Sequence, residues 1–188
     1  EDPDKWVIVG VASFGERASN GVGNFALAVD PVTGRLISAY HDDERSNVIL
    51  QRRALNIAYY DQLTGWSANG TIPGRPLGLY AYFPRFCVTG ESVYLGVSNQ
   101  NSNGGIAIGH MLYQYNNGTW TDLTGSFGAT ALRVDGDLSV TADNNGIPYM
   151  TVGDNTVVSG QFMLQMYKVE NGTPSKVGSP IPGSDVQK

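Results

Sequence analysis

The stretch "YNNGTWTDLTG", from Tyr115 to Gly125, combines an Asn-Gly turn signal, a lone tryptophan and a following glycine. The same layout occurs in "YDQLTGWSANG", from Tyr60 to Gly70, and its second half resembles "DKWVIVG", from Asp4 to Gly10. These segments contain all three tryptophans of the chain. A pattern that recurs at a fixed distance indicates repeated structural units that stack on one another. The repeat therefore predicts the architecture.

Three glycines set the length of the repeat. Gly34, Gly90 and Gly146 lie 56 residues apart, twice in succession, and each stands between two apolar runs, as a turn glycine does between strands. The predicted repeats cover approximately residues 24–70, 80–125 and 137–179. Residues 5–10 would form the outer strand of a preceding repeat. The third repeat departs from the pattern, because Pro174 stands at its tryptophan position.

Each repeat is predicted to contain four strands, A to D. In the first repeat these are Phe25–Val29, Arg35–Tyr40, a strand within Val48–Tyr60, and a strand after the turn near Trp66. The Asn-Gly pair at 117–118 suits a tight hairpin in which both turn residues have positive φ. No segment keeps an apolar spacing of three and four residues long enough to predict a helix.

Composition supports an all-β protein and excludes some partners. The 188 residues form a single predicted domain, 1–188, with 24 glycines, 41% hydrophobic residues and only 15% charged residues. The net charge of −5 argues against a nucleic-acid partner, which requires a basic surface. No apolar run approaches the roughly 20 residues that span a bilayer. The polar start "EDPDKW" indicates that any signal peptide has already been removed.

Several predicted strands are apolar on both faces, for example "NVIL", "VYLGV" and "PYMTV". Such strands belong to sheets that are covered on both sides. Four-stranded antiparallel sheets that repeat and pack face to face describe a β-propeller. In this arrangement the tryptophan near the start of each outer strand packs on the adjoining sheet. The predicted fold is thus propeller-like, with about three blades plus an N-terminal orphan strand, and a β-sandwich is the alternative.

The order of these motifs carries a resemblance to a known group of proteins. A W-x-x-x-G segment precedes an apolar strand, a D-x-x-G turn and a strand that ends near a tyrosine, and Y-x-x-x-G-x-W closes the unit. This order resembles that of exported bacterial β-propeller proteins, whose blades repeat W-x-x-x-G and D-x-x-G motifs. The resemblance implies the propeller fold and an exported location on the cell surface, in the periplasm or in the medium. It implies no particular activity.

The number of repeats raises a question of closure. Propellers close with about four to eight blades, whereas three repeats and one strand form an open arc. An open arc leaves two sheet faces uncovered, which favours aggregation. Either a longer parent chain or self-association with a second copy would close the ring.

A propeller places its B–C and D–A loops on one face, and these loops contain the candidate ligand-binding residues. The predicted loops are His41–Asn47, Ser98–Gly105, Gly153–Gly160, Gly70–Arg85 and Gly125–Asp137. Their carboxylates, amides, arginines and aromatic rings suit carbohydrate, because rings cover the apolar side of a sugar while polar groups bond its hydroxyls. The candidate ligand-binding residues are Asp42, Arg75, Tyr80, Tyr82, Asn99 and Asp154.

The sequence offers less support for an enzyme. Asp42 and Asp154 lie in equivalent loops, so a glycoside hydrolase with two carboxylates is an alternative. No motif for a serine nucleophile, zinc or phosphate is present, and no cofactor is predicted. "HDDE" at 41–44 and "DGD" at 135–137 lack the spacing of metal sites, so no metal is predicted. Cys87, the single cysteine, is interpreted as a small buried hydrophobe.

Three functions remain open at this point. The favoured one is a non-enzymatic binding module of an exported bacterial protein that recognises a glycan or a protein through the B–C and D–A loops. The second is a glycan-processing enzyme that uses loop carboxylates. The third is a structural propeller segment that mediates assembly.

Overall fold

The structure, a computed structural model, describes residues 22–42, 55–71, 79–101, 107–125, 127, 138–158 and 161–181. Within these ranges all regular structure is β-strand, arranged as three four-stranded antiparallel sheets. The prediction of an all-β, propeller-like fold is confirmed. The predicted orphan strand at residues 5–10 lies outside the described residues.

Each sheet is a meander whose strands follow one another in chain order. Sheet 1 contains β1 (Val22–Val29), β2 (Leu36–Asp42), β3 (Leu55–Asp61) and β4 (Gly65–Thr71). Sheet 2 contains β5 (Leu79–Thr89), β6 (Ser92–Asn101), β7 (Ala107–Asn116) and β8 (Thr119–Asp122). Sheet 3 contains β9 (Ser139–Ala142), β10 (Pro148–Val158), β11 (Gln161–Glu170) and β12 (Thr173–Val177).

The tight hairpin predicted at residues 117–118 is present and joins β7 to β8. Asn117 has φ of 48° and Gly118 has φ of 84°, so both turn residues occupy the left-handed region. A two-residue turn of this kind matches the twist of the strands that it connects, and asparagine and glycine tolerate positive φ better than other residues. Local sequence chemistry is therefore sufficient to end β7 and reverse the chain.

Sheet 2 is packed on both faces. Side chains alternate along β6: Val93 and Leu95 join the core shared with sheet 1, whereas Tyr94 joins the core shared with sheet 3. On β7, Tyr113 joins the core shared with sheet 1 and Leu112 joins the core shared with sheet 3. The first strands of neighbouring sheets, β1, β5 and β9, lie side by side, so they are the innermost strands. Fully burying one such aliphatic side chain stabilises the folded state by about 1.5–3 kcal/mol, and sheet 2 buries side chains of this kind on both of its faces.

Trp120, at the start of β8, packs on the adjoining sheet as the repeat predicts. Its ring lies 5.1 Å from that of Tyr115 and 6.5 Å from that of Phe86, measured between centroids. Its indole N–H donates a 2.7 Å hydrogen bond to the hydroxyl of Tyr59 in sheet 1. A half-buried tryptophan needs a partner for this N–H group, and here the neighbouring sheet supplies it.

The sheets have two chemically different ends. At the hairpin end, short turns join the first strand to the second and the third to the fourth. At the loop end, β2, β6 and β10 finish, and the connections from one sheet to the next start after β4 and β8. The sequence analysis assigned residues 98–101 and 153–158 to loops, and this was wrong, since β6 continues to Asn101 and β10 to Val158. Backbone pairing between strands does not require apolar side chains, so the polar sequence did not show where the strands end.

Sheets 2 and 3 approach each other closely at Gly96, on β6. A Cβ atom at this position would collide with a methyl group of Val140 and lie 3.0 Å from side-chain atoms of both Leu138 and Met150. Val140 and Met150 belong to sheet 3, and Leu138 immediately precedes its first strand. The missing side chain of Gly96 therefore allows the innermost strand of sheet 3 to approach β6.

We expect Gly96→Ala to lower the free energy of unfolding by about 1–3 kcal/mol, because it overpacks this contact. Adding Val140→Ala should recover part of the loss, since it removes the nearest clashing methyl group. Combining Gly96→Ala with Val169→Ala instead deletes an equal number of methyl groups elsewhere in that core and should recover no stability. Urea unfolding of the wild type, Gly96→Ala and the two double variants measures these differences, and equal effects of the two valine substitutions would contradict the assigned contact.

Candidate functional site

Five of the six candidate residues lie towards the loop end of the sheets. Asp42 is the last residue of β2, Asn99 is close to the end of β6, and Asp154 lies in the last part of β10. Tyr80 and Tyr82 lie near the start of β5. Arg75, the sixth candidate, lies outside the described residues. Because the strands of each sheet are antiparallel, the start of its first strand and the end of its second strand lie at the same end of the sheet.

Three of the candidates share one pair of strands. In the register of β5 and β6, Asn99 is opposite Ala81, so it stands between the positions of Tyr80 and Tyr82. Tyr82 is opposite Ser98, the residue that precedes Asn99. All three residues were predicted to lie in loops, and the structure places them in strands instead. Strand pairing fixes their backbone positions more firmly than a loop does.

Asp42 and Asp154 belong to the two outer sheets of the arc. Asp42 is paired with Val22 of β1, and Asp154 is paired with Met163 of β11. Sheet 2, with Tyr80, Tyr82 and Asn99, stands between them. The candidates are thus divided among three sheets and share one end of the arc.

A buried histidine lies directly below this end of the sheets. His110, on β7, is fully buried, and so is Ser98 on β6. The Ser98 hydroxyl lies 3.1 Å from Nδ1 of His110, and Nε2 of the same ring lies 3.3 Å from the carbonyl oxygen of Gly153 on β10. A carbonyl can only accept a hydrogen bond, so Nε2 donates to Gly153, and in the neutral ring Nδ1 then accepts from the Ser98 hydroxyl.

The ring of His110 therefore connects three strands in two sheets. Ser98 immediately precedes Asn99, and Gly153 immediately precedes Asp154. The histidine bridge consequently holds the backbones that carry these two candidate residues at a fixed separation. Phe127 adds a further connection, since its backbone exchanges hydrogen bonds of 2.6 and 3.0 Å with that of His110.

Sequence reasoning missed this role of His110. The signal available was one histidine inside the apolar run "IAIGHMLY", where a titratable side chain needs hydrogen-bonding partners if it is buried. Its partners are distant in sequence, however: Ser98 is 12 residues away and Gly153 is 43 residues away. Local patterns cannot identify contacts of this kind.

The groups considered for nucleophilic or metal chemistry gain little from the structure. Burial raises the pKa of the Cys87 thiol, although a hydrogen bond with the Ala142 backbone opposes this effect, so the less nucleophilic thiol form is favoured. Among the described side chains, no group of three or more His, Cys, Asp or Glu residues is placed to hold a metal ion. The "DGD" segment at 135–137 lies outside those residues.

Two open cavities lie at the opposite, hairpin end. One, of about 560 Å³, is lined by residues of sheet 1 that include Arg35, Tyr60 and Asp61. The other, of about 340 Å³, lies between sheets 2 and 3 and is lined by Tyr94 and Glu170 among others. Neither cavity contains one of the candidate residues. None of the described residues forms a helix long and apolar enough to cross a membrane.

Solved structures of other proteins resemble this fold at low sequence identity. A fucose lectin from Kordia zhangzhouensis, solved with methyl-fucoside, is 14% identical with a TM-score of 0.45, and the match covers 84% of this chain and 100% of the lectin. An arabinanase from Bacillus subtilis is 16% identical with a TM-score of 0.46, covering 88% of this chain and 61% of the enzyme. A Trypanosoma rangeli sialidase, solved with difluorosialic acid, is 14% identical with a TM-score of 0.49, covering 89% of this chain and 33% of the enzyme.

This chain therefore spans 61% of the arabinanase and a third of the sialidase. At such identities the likeness concerns the fold alone. No protein-family model and no curated protein sequence matches the chain.

We expect His110→Phe to lower the free energy of unfolding by about 2–3 kcal/mol, because it leaves the buried Ser98 hydroxyl and Gly153 carbonyl without their partner. Ser98→Ala should cost less, about 1 kcal/mol, since the bond to Gly153 remains. Urea unfolding followed by tryptophan fluorescence provides both values. A His110→Phe variant as stable as the wild type would show that the bridge contributes nothing to stability.

Proposed function

We propose that this chain is a non-enzymatic glycan-binding module whose ligand binds at the loop end of the sheets. The observation that carries the proposal is the convergence of Asp42, Tyr80, Tyr82, Asn99 and Asp154 on that end, although they are spread over more than a hundred residues of sequence. Strand order and register bring them there.

The residue types match the chemistry of a sugar. A sugar ring has apolar C–H faces, which tyrosine rings cover, and a rim of hydroxyl groups, which amides and carboxylates bond. Tyr80 and Tyr82 supply the first kind of group. Asn99, Asp42 and Asp154 supply the second. A site of this composition, in a chain with net charge −5, suits an uncharged glycan better than an acidic one.

The structure below the candidates supports binding as well. The Ser98–His110–Gly153 bridge fixes the strands next to Asn99 and Asp154, so these backbones need little ordering when a ligand arrives. A site that is ordered in advance loses less conformational entropy on binding, which favours affinity. We further propose that the protein is exported and meets its glycan at the cell surface, in the periplasm or in the medium.

A glycan array followed by titration calorimetry tests the proposal. We expect wild-type protein to bind at least one neutral glycan, and Tyr82→Ala, Asn99→Ala and Asp154→Ala each to weaken binding about tenfold, equivalent to roughly 1.4 kcal/mol. Asn145→Ala removes an exposed amide at the hairpin end and serves as the control that should bind normally. Absence of binding across a broad array, or binding that the three variants leave unchanged, would count against the proposal.

The same samples test the enzymatic alternative. If the wild-type protein hydrolyses chromogenic glycosides and Asp42→Asn or Asp154→Asn abolishes the hydrolysis, the chain is a glycoside hydrolase and the binding-module proposal is wrong. Glycans recovered intact after long incubation support binding without catalysis.

A further inference from the structure

Two hairpins of the same kind carry side chains of different size. The β7–β8 and β11–β12 hairpins both turn on an Asn-Gly pair in which both residues have positive φ. Two residues before the turn, sheet 2 has Tyr115 and sheet 3 has Val169. Two residues after it, sheet 2 has Trp120 and sheet 3 has Pro174. Within each sheet these two residues are cross-strand partners, so the pair in sheet 3 corresponds to the pair in sheet 2.

Between sheets 1 and 2, the aromatic pair of sheet 2 makes the contact at the hairpin end. The indole N–H of Trp120 donates to the hydroxyl of Tyr59 at 2.7 Å, and the rings of Tyr59 and Tyr115 lie 5.9 Å apart. The rings of Tyr115 and Trp120 lie 5.1 Å apart. Three aromatic rings from two sheets therefore fill this space.

Gln114 on β7 holds in sheet 2 the position that Tyr59 holds in sheet 1. In each of these sheets the cross-strand partner of the tryptophan is a tyrosine, Tyr60 or Tyr115. Tyr59 and Gln114 immediately precede these tyrosines, and neighbouring residues of a strand face opposite sides of the sheet. Both are therefore directed towards the next sheet, and Gln114 is the counterpart of Tyr59 where sheet 2 meets sheet 3.

Where sheets 2 and 3 meet, the cavity of about 340 Å³ takes the place of these rings. Its lining includes Val169 and Gln114, which are the counterparts of two residues in contact with Trp120. A valine and a proline fill less space than a tyrosine and a tryptophan, which accounts for the cavity. Its volume lies within the range of roughly 300–1,000 Å³ that is usual for small-molecule sites.

Gln114 supplies a hydrogen-bond acceptor for an aromatic N–H group. Its amide nitrogen donates to the hydroxyl of Ser92 at 3.0 Å and to that of Tyr94 at 3.4 Å. The Tyr94 hydroxyl donates to the carbonyl of Gly146, so it accepts from Gln114, and this fixes the orientation of the amide. Among the described residues, no donor bonds the side-chain oxygen Oε1 of Gln114. This oxygen is free to accept, as the hydroxyl of Tyr59 accepts from the indole of sheet 2.

Apolar side chains and a close backbone contact shape the rest of the cavity. The apolar residues of its lining are Leu123, Ile147, Pro148 and Val169. A Cβ atom on Gly172 would lie 2.9 Å from the carbonyl oxygen of Leu123, so this glycine lets the β11–β12 hairpin approach the chain that follows β8. The carboxylate of Glu170 belongs to the same lining and disfavours an anionic ligand. Apolar surface combined with a hydrogen-bond acceptor suits an uncharged aromatic ring that carries an N–H group.

We propose that this cavity is a second binding site, which takes an uncharged indole-like ring, that is, a flat aromatic group with an N–H donor. The ring packs on Val169 between sheets 2 and 3, as the ring of Trp120 packs between sheets 1 and 2, and its N–H donates to Oε1 of Gln114. The site lies at the hairpin end, opposite the proposed glycan site, and does not depend on it.

Saturation-transfer NMR and calorimetry with indole test the site. The wild-type protein should bind indole, and Pro174→Trp should abolish binding because the new side chain fills the cavity. Ser175→Trp is the matched control, since Ser175 is the next residue of β12 and faces the other side of the sheet, and it should bind as the wild type does. Circular dichroism shows whether each variant is folded, and Val169→Tyr fills the same space from β11 if Pro174→Trp does not fold. Absence of binding to the wild type, binding that a folded blocking variant retains, or equal behaviour of the variants at 174 and 175 overturns the proposal.

Benzothiophene tests the contact with Gln114, because it has the shape of indole without the N–H group. Gln114→Leu should weaken the binding of indole about tenfold and that of benzothiophene much less, since only indole donates a hydrogen bond to this side chain. Equal weakening of both compounds would overturn the proposed placement of the ring.

The peptide Gly-Trp-Gly distinguishes two sources of an indole ring. If the peptide binds more tightly than indole and Pro174→Trp blocks it, the ligand is a tryptophan side chain of a partner protein. If indole binds and the peptide does not, the ligand is a free aromatic compound. Either result supports the site, whereas binding of neither compound overturns it.

Discussion

The packing of sheet 2 between two neighbours is the constraint on which the rest of the structure depends. A four-stranded sheet that is apolar on both faces cannot bury itself, and each added sheet covers one face and exposes another. Leu95 and Leu112 show the result, because they lie on neighbouring strands of one sheet and are fully buried in two different cores. The close approach of sheets 2 and 3 at Gly96 follows from this stacking. So does the placement of short turns at one end of the sheets and loops at the other.

Hydrophobic contact is not directional, so polar contacts between sheets help to fix their alignment. Trp120 donates to Tyr59 between sheets 1 and 2. Tyr94 donates a 2.9 Å hydrogen bond to the carbonyl of Gly146, and His110 bonds that of Gly153, between sheets 2 and 3. Each of these contacts is satisfied in only one relative placement of the sheets. Together they give the apolar stack a specific geometry.

The same geometry separates two kinds of surface. The hairpin end consists of short turns whose residues tolerate the backbone conformation that the turn requires, as Asn117 and Gly118 tolerate positive φ. The loop end gathers polar and aromatic residues from all three sheets, and the buried bridge of His110 lies just below it. The glycan-binding site that we propose uses one end of the sheets, whereas the packing between the sheets uses their faces.

The sequence by itself determined the strand content, the hairpin turn at Asn117–Gly118 and the stacking of four-stranded sheets, because these depend on local propensity and on strands that are apolar on both faces. It also identified Tyr82, Asn99 and Asp154 as candidates by residue type, but it assigned them to loops. Only the tertiary structure decided that they lie in strands, since backbone pairing continues where the apolar pattern has ended. The role of His110 likewise required the fold, because its partners are brought together only when sheet 3 packs on sheet 2.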